Sequence, residues 1–372
     1  MAKINDKRRP DKLLFVLILI LVFWGIFTTG TVSFPLAMEK FGTPWKYLLQ
    51  QLSRLLIGLV LGYVLYKTPL DKIKKYSPHF FLASLFLIFL VLAPKIGISA
   101  KGASRWLNFG FFTLQPSEIL KLSFILYLSA WLSNRSKRKK LGRRYGLLLP
   151  FIVILAVLFS GLYLQKDLTT LILIVLTGLA VYFFGPMDWW HMAVVAVLCA
   201  VLFSVFIATE PYRMERLKTY LNPQAEPQGS GYQPQQSAVA IGSGKIFGIN
   251  NGLGLGMSRQ KFGFLPESQT DSIFAIIAEE TGFVGCLILL SLFLLFCWKS
   301  FSMANKFQYD FRGFAAFGIS FWITFQALLN IAGVSGIMPL MGVPLPFFSF
   351  GGSHLIAELM ACGILLNISK QV

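Results

Sequence analysis

Charge is the scarcest feature of this 372-residue sequence: 13% of its residues are Asp, Glu, Lys or Arg, well under the quarter usual in soluble domains. That excludes a water-soluble fold for the chain as a whole. Acid is scarcer still, with 16 Asp and Glu against 34 Lys and Arg and a net charge of +18. Nucleic-acid binding needs a basic face on a soluble domain; here the bases flank apolar segments, so that class is excluded as well. The four cysteines all fall inside apolar runs without CxxC spacing, which removes a disulfide framework and a zinc site. His79, His191 and His354 are scattered and form no ligand set. No internal repeat and no soluble domain interrupt the pattern.

What the sequence has in excess is apolar length. It is 55% hydrophobic with a mean hydropathy of +0.66, which reads as an all-α polytopic membrane protein. Residues 1–12 form a charged head containing Lys7, Arg8, Arg9 and Lys12, and residues 13–372 form a single membrane domain. The first apolar run, Leu13 to Thr31, is long enough to span and lacks a clear small-residue cleavage site, so it reads as a span and not a signal peptide. Further spans are expected at Tyr47–Tyr66, Phe80–Leu92, Ser117–Ser133, Leu147–Leu164, Leu168–Phe184, Trp189–Ala208, Ser272–Cys297, Phe311–Val334 and Gly351–Ile368. That makes ten transmembrane helices, the third the shortest, with a long extracytoplasmic loop (209–271) between helices 7 and 8.

The basic residues orient these spans. With both termini cytoplasmic, 20 of the 34 Lys and Arg fall on the cytoplasmic side, including the run Arg135 to Arg144. The long outer loop is polar, rich in Gly, Pro and Gln, and too long to be a mere connector. Another outer loop, Ser335 to Phe350, carries no charge.

The stretch Leu265-Pro-Glu-Ser-Gln-Thr-Asp271 runs from that polar loop into an apolar helix. Thr270 followed by Ile273, Phe274, Ile276 and Ile277 reads as an N-cap and first turns. Asp271 then sits at a helix start, where free backbone N–H groups favour its anion and leave it ready to accept a proton. Glu279 and Glu280 lie about two turns deeper and need partners there. Gln115-Pro-Ser-Glu-Ile-Leu-Lys121 puts Ser117 and Lys121 four apart on one helix face. A lysine inside a span either snorkels, is internally paired, with Glu118 or Asp167 as partner, or forms part of an anion site. Arg54 is similarly placed in the second span, and Arg105 lies in the outer loop Lys95 to Gln115. Gly252, Gly254 and Gly256 lack the strand and helix of a nucleotide-binding loop, so that reading fails.

These motifs, with Ser258-Arg-Gln-Lys261, Pro344-Leu-Pro-Phe-Phe-Ser-Phe-Gly-Gly-Ser353 and Leu365-Leu-Asn-Ile-Ser369, resemble the SEDS family of shape, elongation, division and sporulation proteins. The likeness runs from Trp45 onward and favours the FtsW and SpoVE branch over the RodA branch. It implies ten spans in the bacterial cytoplasmic membrane. It also implies a cell-division peptidoglycan glycosyltransferase that polymerises lipid II, with a class B penicillin-binding protein and other division proteins as partners. The implied reaction joins an α-linked lipid pyrophosphate donor into a β-1,4 product, hence inversion, with one base and several cations. Asp271 is the expected catalytic base. The expected substrate contacts are Arg105, Lys121, Ser117, Arg54, Glu267, Arg259, Lys261 and Asp167, with Arg213 and Arg216 as further cations. No cofactor is required by this reading, and a requirement for a divalent cation such as Mg or Mn is left open. A lipid II flippase and a non-catalytic division scaffold are the rival functions.

Three places depart from the family pattern. Gln165-Lys-Asp-Leu-Thr-Thr170 has Lys166 and Thr169 where the family has proline and glycine, Lys245 to Gly256 is longer than the pattern, and Phe350 replaces a tyrosine.

Overall fold

The computed structural model describes residues 9–93, 97–100, 103–108, 113–137, 148–185, 190–191, 193–197, 200, 204, 211–222, 225–226, 228–249 and 254–372. Most of the seventh expected span, most of Arg135–Arg144, Gly252 and residues 1–8 of the head lie outside them. The described helices are α1 (Lys12–Phe41), α2 (Lys46–Lys67), α3 (Leu70–Leu90), α4 (Pro116–Lys137), α5 (Leu148–Leu164), α6 (Leu168–Phe183), α7 (Pro211–Leu221), α8 (Tyr232–Ser243), α9 (Ile273–Lys306), α10 (Phe311–Val334) and α11 (Gly352–Ser369). Among them α1, α2, α3, α9, α10 and α11 are long and apolar enough to cross a membrane, and α5 and α6 are shorter apolar helices. The chain is a multi-pass membrane protein.

Four sequence expectations are corrected. The third span begins at Leu70 and is 21 residues long, because Pro69 can precede a first turn, Lys72 and Lys75 extend from it toward water, and Lys74 donates to the Ser133 hydroxyl at 3.1 Å. The all-α expectation fails at the outer loop, where β1 (Gly97–Ala100), β2 (Ala103–Asn108) and β3 (Thr113–Leu114) pair antiparallel in that order. The long polar loop contains two helices, α7 and α8. The eighth span runs on to Lys306 and breaks at Gly282, whose φ of 66° and ψ of −166° are open to glycine. The break frees the N–H groups of Phe283 and Val284, and the carbonyls of Lys245 and Ile246 accept them at 2.9 and 3.0 Å.

Burial sorts the helices into a centre and a rim. α10 and α11 are buried over most of their length, while α1, α2 and the second half of α9 expose Phe23, Leu56 and Trp298, among others. Side chains of that kind in contiguous rows suit lipid and not water. Among the described helices α2 and α11 pack against each other most extensively. Gly58 and Gly62 stand four apart on α2, and the carbonyl of Leu359 lies 2.7 Å from where a Cβ on Gly62 would sit. Without a hydrophobic drive between helices in lipid, such close backbone approach supplies the van der Waals contact that holds them. Asn367 then donates to the carbonyls of Leu65 and Thr68 at 2.9 and 2.7 Å, tying the far end of the pair. At the start of α1, Asp11 accepts the N–H of Leu14 at 3.1 Å and pairs with Lys299 at 2.8 Å.

Two alanine substitutions separate packing from propensity. Gly62→Ala is expected to cost about 1–3 kcal/mol, because the facing atom is backbone and cannot rotate away. Gly242→Ala, where a Cβ meets nothing within 4 Å, is expected to be neutral or to gain up to about 1 kcal/mol. Thermal unfolding in detergent checks both.

Candidate active site

The segment before α9 is a series of turns built on Glu267, whose φ is 51°. Its carbonyl accepts the N–H groups of Thr270 and Ser272 at 3.1 and 3.2 Å, and its carboxylate accepts the Thr270 hydroxyl at 3.0 Å. The expected Thr270 cap is therefore corrected: its hydroxyl is engaged by Glu267, the helix begins at Ile273, and Ser272 stands at the cap position. Asp271 is half-buried just before that start. Asn330 donates to its backbone carbonyl at 2.8 Å. A Cβ on Gly342 would lie 3.1 Å from Asp271 Oδ2 and 3.8 Å from Arg216 Nη1, so carboxylate and guanidinium converge on one point. Arg216 also donates to the carbonyl of Leu340 at 2.9 Å. Beside this point a cleft of about 470 Å³ opens between α7, α8 and the loop after α10, lined by Arg216, Tyr220, Gln233, Pro266 and Leu340 among others.

Lys121 resolves to the internally paired geometry, with Glu118 and not Asp167. Its ammonium lies 2.8 Å from Glu118 Oε2, donates to Gln326 Oε1 at 2.9 Å, and sits 5.1 Å above the Trp322 ring. Gln326 in turn donates to the carbonyl of Pro344 at 3.0 Å. Gln326 and Asn330 are four apart, so one face of α10 carries an amide to Lys121 and an amide to Asp271, about one turn apart. Asp167 caps α6: it accepts the N–H and hydroxyl of Thr170 at 3.3 and 2.9 Å, and the hydroxyl of Ser117 at 3.3 Å.

Arg105 projects from β2 and donates to the carbonyl of Lys166 at 2.5 Å. Arg54 stacks 4.7 Å from the Phe350 ring, and its buried Nη1 has no hydrogen-bond partner. Lys261 is buried, donates to the carbonyl of Gly256 and lies 3.8 Å from Glu280. Burial pushes its ammonium below the usual lysine range, against the opposing pull of Glu280 and Glu279. Glu279 accepts the Ser258 hydroxyl and the N–H groups of Arg259 and Gln260, the latter two at 3.2 and 3.4 Å. Both deep glutamates are thus partnered. The side chain of Arg259 is exposed above them.

The structure brings Asp271 and Arg216 together, gathers Lys121 and Glu118 behind them, and joins Ser117 to Asp167. It leaves Arg105, Arg259 and Glu267 nearer the surface. Gln326, Asn330 and Gly342 escaped the sequence reading. The two amides had a signal, since polar residues four apart inside an apolar span need partners; Gly342 had none. Among the described residues no three of His, Cys, Asp or Glu gather as a metal site.

The family model for the cell cycle proteins FtsW, RodA and SpoVE matches residues 11–372. The chain belongs to the FtsW/RodA/SpoVE family. Within it, the probable peptidoglycan glycosyltransferase FtsW of Coxiella burnetii is 35% identical, covering 97% of this chain and 96% of the relative. The stage V sporulation protein E of Bacillus subtilis is also 35% identical, over 98% of each chain. Among solved structures, a chain of a peptidoglycan synthase complex that coordinates polymerization and crosslinking superimposes with a TM-score of 0.77 at 28% identity, covering 97% of both chains. RodA of Thermus thermophilus superimposes with a TM-score of 0.70 at 26% identity, covering 97% of this chain and 96% of that one. These relatives place the chain on the FtsW/SpoVE branch.

The Lys121–Glu118 geometry predicts a non-additive pair. Lys121→Met alone leaves a buried carboxylate uncompensated and should cost about 3–5 kcal/mol, whereas adding Glu118→Gln should restore most of it. Thermal midpoints of the two single variants and the double variant measure this.

Proposed function

We propose that the chain is a peptidoglycan glycosyltransferase that polymerises lipid II in the bacterial cytoplasmic membrane during cell division. The observation that carries this reading is the convergence of the Asp271 carboxylate and the Arg216 guanidinium on Gly342, at the edge of a cleft. A base within reach of a hydroxyl and a cation within reach of a leaving pyrophosphate are the two parts inverting transfer needs. In the proposed step the acceptor hydroxyl oxygen attacks the anomeric carbon of the donor and its proton passes to Asp271. The bond from that carbon to the pyrophosphate oxygen breaks, and the undecaprenyl pyrophosphate leaves with the electron pair. Arg216 and Arg54, whose Nη1 has no hydrogen-bond partner, are the cations proposed to meet the phosphate oxygens. No step is routed through a metal ion.

The proposal includes ten spans, both termini in the cytoplasm and residues 209–271 outside. The unequal distribution of Lys and Arg supports it, as do the six long apolar helices. It also includes a class B penicillin-binding protein as partner, supported by the likeness to a chain of a complex that joins polymerization to crosslinking.

Asp271→Asn should lower the rate of glycan synthesis from labelled lipid II by about 10²- to 10⁴-fold while membrane insertion and partner binding persist. Polymerisation within a few-fold of the parent would remove the base and bring back the flippase or scaffold reading. Gly342→Ala should behave alike, since its φ of 71° disfavours alanine and the added carbon would press on the carboxylate.

A further inference from the structure

Glu358 and Asn330 are among the buried side chains that carry an unmet hydrogen-bonding atom. Glu358, on α11, is fully buried, and its Oε1 has no partner; its Oε2 accepts the backbone N–H of Phe347 at 2.8 Å. Asn330, on α10, is 3% exposed, and its Oδ1 has no partner; its Nδ2 donates to the carbonyls of Val343 and Asp271 at 2.6 and 2.8 Å. A carboxyl oxygen left unpaired in a fully buried site lowers stability, even with Lys121 and Glu118 within electrostatic reach, and a hydrophobic side chain of similar volume would serve packing as well or better. What both residues hold is backbone.

The segment they hold leads to Asp271. Phe347 has a φ of 67°, a left-handed conformation rare for a bulky residue, and needs an external partner to keep it. Two residues on, the Ser349 hydroxyl accepts the N–H of Leu345 at 2.8 Å and donates to the carbonyl of Thr270 at 2.6 Å. Phe350 N–H donates to the carbonyl of Gln269 at 2.7 Å. The chain on the near side of Asp271 is therefore registered against the turn that Glu358 holds, and Asp271 itself is pinned by Asn330.

From this we infer that Asn330 and Glu358 are positioning residues for Asp271, fixing its backbone from two directions so that the carboxylate faces Gly342 and Arg216. The inference rests on the reading of Asp271 as the base. Glu358 acts as a hydrogen-bond acceptor, and its charge is not what matters.

The test uses the full chain with its partner and labelled lipid II, measuring kcat, KM and thermal midpoint for Glu358→Gln, Glu358→Met, Asn330→Ala and Asp271→Asn in parallel. Glu358→Gln keeps an acceptor for Phe347 and should retain the parent kcat. Glu358→Met and Asn330→Ala should lose up to about 10²-fold in kcat, the scale of a displacement of about 1 Å, with KM little changed. The thermal midpoint of Glu358→Met should hold or rise, which no purely structural role predicts. The inference is overturned if Glu358→Met and Asn330→Ala keep the parent kcat while Asp271→Asn is inactive, and the base reading then stands. It is also overturned if Glu358→Gln is as impaired as Glu358→Met, or if lost kcat merely follows lost thermal midpoint. Should Glu358→Met fail to fold, Asn330→Ala decides by the same criteria. An active Asp271→Asn sinks the base reading itself, whatever Glu358 does.

Discussion

Backbone carbonyls buried away from water must find donors, and the loop between α10 and α11 meets that demand almost entirely from outside itself. At the exposed end Tyr220 donates to Ile337, and deeper in Arg216 donates to Leu340, Thr169 to Met341, Asn330 to Val343 and Gln326 to Pro344. Five carbonyls in eight residues are held by side chains of α6, α7 and α10. A loop without a single charge is thereby made rigid by its neighbours. Asp271 lies against its glycine, so the geometry of the carboxylate is set by the helices that hold this loop.

The parts of this arrangement readable from the sequence are those in which one residue type carries its own constraint. Apolar length marks the long helices, a lysine inside a span demands a partner, and an aspartate at the end of a polar run before an apolar helix marks itself. Which carbonyls Thr169, Gln326 and Asn330 serve was not readable, because a polar residue inside an apolar span shows that it needs a partner but not which one. The start of α9 misled for a similar reason. Thr270 looks like a cap because its local pattern is that of one, but Glu267 folds back and takes its hydroxyl. The kink at Gly282 was hidden because a single glycine in an apolar run is consistent with an unbroken helix. Only the carbonyls of Lys245 and Ile246, some forty residues earlier, make the break affordable.

The unusual turn between α5 and α6 has a physical account as well. Lys166 has a φ of 57°, which the proline expected there cannot adopt. In that conformation its carbonyl is turned to Arg105. Thr169 supplies a hydroxyl to Met341 that glycine would lack. Both replacements therefore add ties, one to the hairpin and one to the loop beneath Asp271, while Asp167 keeps its place as the cap of α6.

The contacts around Gly282 also bear on how freely this protein can vary. Gly248 packs against the carbonyl of Glu280, where any side chain would collide, and Ser258 is fastened to Glu279. The stretch between those two residues thus begins and ends on the same turn of the same helix. A tether with both ends fixed can grow at little cost, since doubling a loop adds only about 0.6 kcal/mol of closure entropy. Added length in that tether leaves both anchors on α9 where they are, so this chain can take extra residues there without moving the turn that carries Asp271.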